Sequence, residues 1–154
     1  MLDPDELTAG MQEPVALVGS PPAFRTVVAD DVADLRMMLR VAVEMSRHFD
    51  VVGEAGDGRE AVRLARELQP DLLLLDLAMP VQDGIQSLPQ VLEASPRTIV
   101  VVLSGFESRR LAPLALHMGA TAYLEKGISP SQLVSSLLAI MDKAGSRPAS
   151  IPAS

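Results

Sequence analysis

Three carboxylates, a hydroxyl and an ammonium stand where apolar runs of this chain stop. Thr26-Val27-Val28-Ala29 runs into Asp30-Asp31, and Leu72 to Leu75 runs into Asp76. Thr98 to Leu103 runs into Ser104-Gly105, and Ala122-Tyr123-Leu124 runs into Glu125-Lys126. Carboxylates brought together repel one another, so they must protonate, pair with a cation or bind a metal ion. Oxygen ligands without His or Cys specify a hard ion such as Mg²⁺, which accepts one or two carboxylates and fills its shell with water and phosphate oxygens. A hydroxyl and an ammonium beside such an ion complete a site for a phosphoryl group, whose oxygens call for donors and positive charge. Each residue taken alone has a plainer use. Asp30-Asp31 suits helix N-capping, Ser104-Gly105 suits a turn, Lys126 suits an exposed lysine and Tyr123 a half-buried strand position. Asp76 fits a surface charge poorly, because four leucines lead directly into it.

These residues converge only if the apolar runs are neighbouring strands. Val32 to His48 carries Leu35, Met38, Leu39, Ala42, Val43 and Met45 at helical spacing, and Glu60 to Gln69 carries Ala61, Leu64, Ala65 and Leu68 on one face before Pro70. Val51 to Ala55 reads as a weaker strand, followed by a Gly56-Asp57-Gly58 turn. The continuous apolar character of 72–75 is that of a strand buried on both faces, and 98–103 is the strongest strand. Helical stretches reach about Ala94 and Gly119, each with an awkward proline, Pro89 and Pro113, that marks a late start or a kink. Ser129-Pro130 opens a last helix through Met141, with Ser129 as cap and Pro130 at its first position. Five strands alternating with five helices predict an α/β fold, a doubly wound five-stranded parallel sheet of flavodoxin-like type. In such a sheet ligands bind beyond the carboxyl ends of the strands, where the acids stand. Asp57 and Asp83 read as turn residues, and Met37, Met38, Met45 and Met118 as core filling.

Composition narrows the function. The 154 residues hold 13 Lys plus Arg against 20 Asp plus Glu, a formal charge of −7, with no basic cluster to neutralise phosphates of a nucleic acid. There is no cysteine, hence no disulfide, thiolate nucleophile or Cys-based metal site. No apolar run approaches the ~20 residues of a membrane-spanning helix, and no basic flank marks a secretory signal. The expectation is a cytoplasmic domain that binds neither nucleic acid nor membrane. Residues 1–24, with four acids, no bases and four prolines, read as a flexible leader whose true start is Met1 or Met11. Residues 144–154 have linker composition, leaving 25–143 as the folded domain.

Asp30-Asp31, the string Asp76-Leu77-Ala78-Met79-Pro80 with Asp83-Gly84, Ser104-Gly105 and Tyr123-Leu124-Glu125-Lys126 together resemble the receiver domain of bacterial two-component response regulators. The strings resemble most closely receivers that precede a helix-turn-helix DNA-binding domain. The resemblance implies that Asp76 accepts a phosphoryl group from a phosphohistidine on a histidine kinase or phosphotransfer protein. It implies Mg²⁺ held directly by Asp31, Asp76 and the Ala78 backbone carbonyl, with Asp30 acting largely through water. Ser104 would hydrogen-bond the phosphoryl oxygens, Lys126 would pair with them, and Gly105 would leave them room. Tyr123 would turn inward as Ser104 moves, making the domain a signalling switch that catalyses only its own phosphorylation and dephosphorylation. A homodimer formed on phosphorylation is one implied output.

Two departures matter. Ala78 and Phe106 cannot orient a hydrolytic water, which predicts slow loss of the phosphoryl group. Gly127 stands where many relatives have proline, which predicts a looser turn after Lys126. An aspartate-nucleophile phosphatase would need a second acid at position 78, and an interaction module that ignores phosphate would not need the full acid, hydroxyl and lysine set. The output is either a downstream protein partner or a DNA-binding domain absent from these 154 residues.

Overall fold

The computed structural model describes residues 22–79 and 81–145; of the leader expected at 1–24 and the tail expected at 144–154, residues 1–21 and 146–154 lie outside the described residues, and Phe24 already belongs to the first strand. Five strands form one parallel sheet: β1 (Phe24–Ala29), β2 (Phe49–Ala55), β3 (Leu72–Asp76), β4 (Ile99–Ser104) and β5 (Ala122–Glu125). Their order is β2-β1-β3-β4-β5, so the winding reverses between β1 and β3. The helices are α1 (Ala33–Met45), α2 (Gly58–Leu68), α3 (Gly84–Ala94), α4 (Ala112–His117) and α5 (Pro130–Lys143), as the alternating pattern predicts.

The four leucines of β3 show why its sequence does not alternate with water. Leu73 and Leu75 point into one core, shared with α2, α3 and α4, while Leu72 and Leu74 point into the other, shared with α1 and α5. All four are fully buried, each contributing roughly 1.5–3 kcal/mol of apolar transfer. Helix starts follow local chemistry. Asp57 caps α2 by accepting from the Glu60 amide, while Asp83 with Gln86 and Ser129 with Gln132 form reciprocal capping boxes. The Asp57 and Asp83 turns are therefore helix caps, and Ser129 and Pro130 take the positions expected of them.

Two expectations change. Met37, Met38 and Met45 are 63%, 65% and 77% exposed, because the core stripe of α1 is Leu39, Ala42 and Val43 and the methionines face outward; Met118 alone of the four packs on the core. Pro89 lies inside α3, which continues through it; the missing amide costs one helical hydrogen bond without breaking the helix. After β4 the helix starts late, as Pro113 predicts. A 3₁₀ turn at Arg109–Leu111 leads into α4, with Pro113 in the first turn, where its missing amide has no helical partner to lose.

Candidate functional site

Strand register brings the polar residues to one line. Ala29 pairs with Leu75, so Asp30 comes level with Asp76; Asp76 pairs with Leu103, and Ser104 pairs with Glu125, one residue before Lys126. The four strand ends therefore converge beside the β1/β3 reversal. Lys126 lies beyond β5, two strands from Asp76, yet its Nζ is 2.8 Å from Asp76 Oδ2 and 3.1 Å from Asp30 Oδ2. Both carboxylates are essentially inaccessible, while the lysine side chain is 26% exposed.

The remaining oxygens are partly engaged. Asp76 Oδ1 accepts from the Ala78 amide at 3.0 Å, and Asp30 Oδ1 accepts from the Val32 amide at 2.9 Å. Neither acid of the 30–31 pair caps α1, whose cap residue is Val32 with no side-chain bond. That removes the plainer use of the pair. Among the described residues, Oδ2 of Asp30 and of Asp76 have no partner besides Lys126, and the buried Ser104 Oγ has no hydrogen bond. Asp31 is exposed at the mouth of the site, and a carboxylate oxygen from each of Asp30, Asp31 and Asp76 lies within 4.8 Å of the others. Two buried carboxylates, an accessible third and an all-oxygen donor set fit a hard divalent cation entering from solvent. The acidic cluster can hold a metal ion.

Electrostatics follows from this crowding. Burial pushes the Asp76 carboxyl above the ordinary carboxylate range, with the Asp30 charge acting in the same direction; the Lys126 ammonium and the Ala78 amide pull it back only in part. Burial pulls the Lys126 ammonium down, but Asp76 and Asp30 outweigh it and hold the ammonium above the usual lysine value. One cation thus stands between two acids that would otherwise repel.

The other predicted residues fall around this centre. Ala78 is exposed, two residues beyond the buried Asp76, and Phe106 is 85% exposed with the Arg109 guanidinium 5.3 Å over its ring. Tyr123 is 41% exposed, on the outer face of β5. A Cβ added to Gly105 would meet nothing within 4 Å, so there is open space beside Ser104. Gly127 has φ +93°, a left-handed value that proline, locked near −65°, cannot take. The turn after Lys126 is consequently defined by glycine rather than loosened by it. Gly127→Ala meets no steric obstacle but forces an L-residue into the left-handed region, at about 1–2 kcal/mol; urea unfolding should show that loss without a change in slope.

Sequence reasoning missed Gln82 and Ser87, and read Gly58 only as a turn residue and Gly84 only as part of a motif, whereas the four together pack the loop after β3. Gly58 N–H donates to the Gln82 carbonyl at 2.8 Å, and Gln82 Nε2 donates to Ser87 Oγ at 3.2 Å. The Asp57-x-x-Glu60 and Asp83-x-x-Gln86 spacings, read as cap signatures, would have placed both helix starts at this loop.

A doubly wound parallel sheet with an acidic cluster at its reversal point defines an α/β domain whose strand ends can hold a cation. Residues 26–138 match the response regulator receiver domain, and the chain belongs to that family. It is 44% identical to the transcriptional regulatory protein PdtaR of Mycobacterium tuberculosis over 71% of this chain and 53% of PdtaR. It is 33% identical to the chemotaxis protein CheY of Thermotoga maritima, over 73% of this chain and 93% of CheY. Among solved structures, the signal receiver domain of the response regulator NarL from M. tuberculosis superimposes with a TM-score of 0.73 at 34% identity, covering 82% of this chain and 100% of that domain. The chain spans about half the length of the curated transcriptional regulators it matches. Receiver domains of this family act in two-component signalling with histidine kinases and output domains. No helix among the described residues is long and apolar enough to cross a membrane.

Proposed function

We propose that this receiver takes a phosphoryl group on Asp76 from a phosphohistidine of a kinase or phosphotransfer protein, with Mg²⁺ in the acidic cluster, and changes its interaction surface as a result. The observation that carries the reading is the buried Asp30/Asp76 pair sharing one ammonium beside an unpartnered hydroxyl at the sheet's reversal point. An Asp76 oxygen forms the new bond to phosphorus as the donor's P–N bond breaks. Asp31, Asp76 and the Ala78 carbonyl would hold the ion directly, and Asp30 through water; when bound, the ion neutralises charge on the phosphoryl oxygens. Lys126 then exchanges a carboxylate partner for a phosphoryl oxygen, while Ser104 Oγ supplies a donor that has no other duty. Gly105 leaves the volume for the group. Movement of Ser104 towards it empties space into which Tyr123 turns from its outward position, altering the face of β5 and α5.

The domain is a switch, with no chemistry beyond its own phosphorylation and dephosphorylation. The folded unit, expected over 25–143, starts one residue earlier because Phe24 opens β1, and it works in the cytoplasm, with its output through a protein partner, a homodimer formed on phosphorylation, or a DNA-binding domain. That last reading is favoured by the regulators it resembles.

Incubation with a small acyl-phosphate donor and Mg²⁺, followed by peptide mapping, tests the assignment. The label should sit between Leu72 and Met79 and vanish in chelator; a label elsewhere overturns it. Because the Ala78 methyl and the Phe106 ring offer no polar group to a water, the label should decay over many minutes after the donor is removed. A half-life of seconds would refute slow hydrolysis.

A further inference from the structure

Val81 is a β-branched residue with φ +66°, a left-handed conformation that costs an L-residue about 1–2 kcal/mol, and its side chain is 73% exposed. With so little of the side chain packed, the restraint comes chiefly through its neighbours. The next residue supplies it: the Gln82 carbonyl takes the Gly58 amide at the start of α2, and the Gln82 side chain donates to Ser87 Oγ on α3. Ser87 Oγ in turn donates to the Asp83 carbonyl at 2.6 Å. The approach at Gly58 is so close that an added Cβ would lie 1.9 Å from Ser87 Oγ and 2.2 Å from the Gln82 carbonyl oxygen. The far end of the same loop rests on the acceptor itself, since a Cβ on Gly84 would lie 2.4 Å from the Asp76 carbonyl oxygen, and Gly84 N–H donates to Leu77. Displacement at Gln82 is therefore passed to the backbone that leaves Asp76, at the Asp76 carbonyl and Leu77.

We propose that Gly58 is a positioning residue for the metal site: its contact with Gln82 latches Val81 in a strained turn, and the latch places Asp76, Leu77 and Ala78 for the divalent cation. Without the latch Val81 relaxes to an ordinary φ, and the loop that follows the acceptor swings with it. Glycine at 81 takes the left-handed conformation without strain, so a Val81→Gly loop absorbs the loss of the latch locally and keeps its register at Asp76.

The inference rests on the reading of the acidic cluster as a Mg²⁺ site, and Mg²⁺ titration by calorimetry, without any phosphoryl donor, separates the two. Gly58→Ala should weaken Mg²⁺ binding by about five-fold or more, equivalent to roughly 1 kcal/mol, although it touches no carboxylate. Val81→Gly alone should bind Mg²⁺ as the wild type does and melt a few degrees higher. The double variant should regain most of the lost affinity, a rescue that general destabilisation by a glycine would not produce. A wild type that takes up no Mg²⁺ overturns the metal reading. A wild type that binds while Gly58→Ala binds equally well, or a double variant no better than Gly58→Ala, overturns the latch. If Gly58→Ala alone does not fold, a double variant that folds and binds like the wild type sustains the inference, and one that also fails refutes it.

Discussion

Asp76→Asn should take up no phosphoryl group from an acyl-phosphate donor in Mg²⁺, and in chelator at neutral pH it should melt higher than the wild type. The first outcome follows from chemistry, because an amide oxygen is a poor nucleophile and the substitution also deletes one negative charge from the cation site. The second follows from burial. The Asp76 carboxyl is raised above its ordinary value chiefly because the folded protein removes it from water. A group whose folded value is raised contributes its stability below the unfolded value and loses it as pH rises through the folded one. At neutral pH the ionised Asp76 is thus a cost of the fold, which asparagine removes at nearly constant volume. The gap in melting midpoint should close as the solution is acidified below about pH 4, where both chains carry a neutral group at 76. Mg²⁺ should narrow it from the other side by stabilising the wild type. Equal labelling of the two proteins would sink the acceptor assignment, and an Asp76→Asn chain that melts lower at neutral pH in chelator would contradict the electrostatic account.

How much of this was visible in the sequence depends on whether a feature is local. Leu72 to Leu75 announced a two-sided strand because burial on both faces removes the need for any polar residue, and the structure divides those leucines between two cores. Ser129-Pro130 announced a helix start because capping is settled within four residues. The methionines of α1 misled because periodicity fixes which residues share a face without saying which face meets the sheet, and α1 is apolar well beyond its core stripe. At the site, the carboxylates were visible as acids ending apolar runs. The shared pairing of Lys126 with both Asp30 and Asp76 was not, since it depends on a side chain reaching across the end of β4. Gly58 stayed hidden for a related reason: it meets Gln82 through backbone atoms, and backbone contacts leave no residue-type signature beyond the missing Cβ. Val81 is the reverse case. The local rule for a β-branched residue predicts an extended backbone, and the positive φ found in the loop after β3 shows tertiary contacts overriding it.

Lys126→Met should produce the largest loss of stability of any single change at the site, and in chelator the loss should grow with pH. Methionine keeps the length and apolar stem of lysine, so the change isolates the charge. It leaves Asp30 and Asp76, both shut away from water, with no cation between them among the described residues. Breaking a buried pair from one side typically costs 3–5 kcal/mol; here the ammonium is 26% exposed and water already screens it, so roughly 2–3 kcal/mol is expected. The site can limit even that by protonating Asp76, whose carboxyl burial already pushes upward. The variant should therefore approach wild-type stability as acidification protonates Asp76, and fall behind steeply towards pH 8. Urea unfolding in acid and at pH 8, with and without Mg²⁺, reads the effect directly. The same substitution should tighten Mg²⁺ binding, because a competing cation has gone and the cluster gains a full negative charge, while the phosphoryl group, if it forms, loses its ion-pair partner. Stability restored by Mg²⁺ together with a weakened phosphorylated state would show that one ammonium serves two ends: it holds the resting acids together until a metal arrives, and then turns to the anion that the metal brings. A Lys126→Met chain as stable as the wild type at pH 8 in chelator would mean instead that water, rather than lysine, compensates the buried pair.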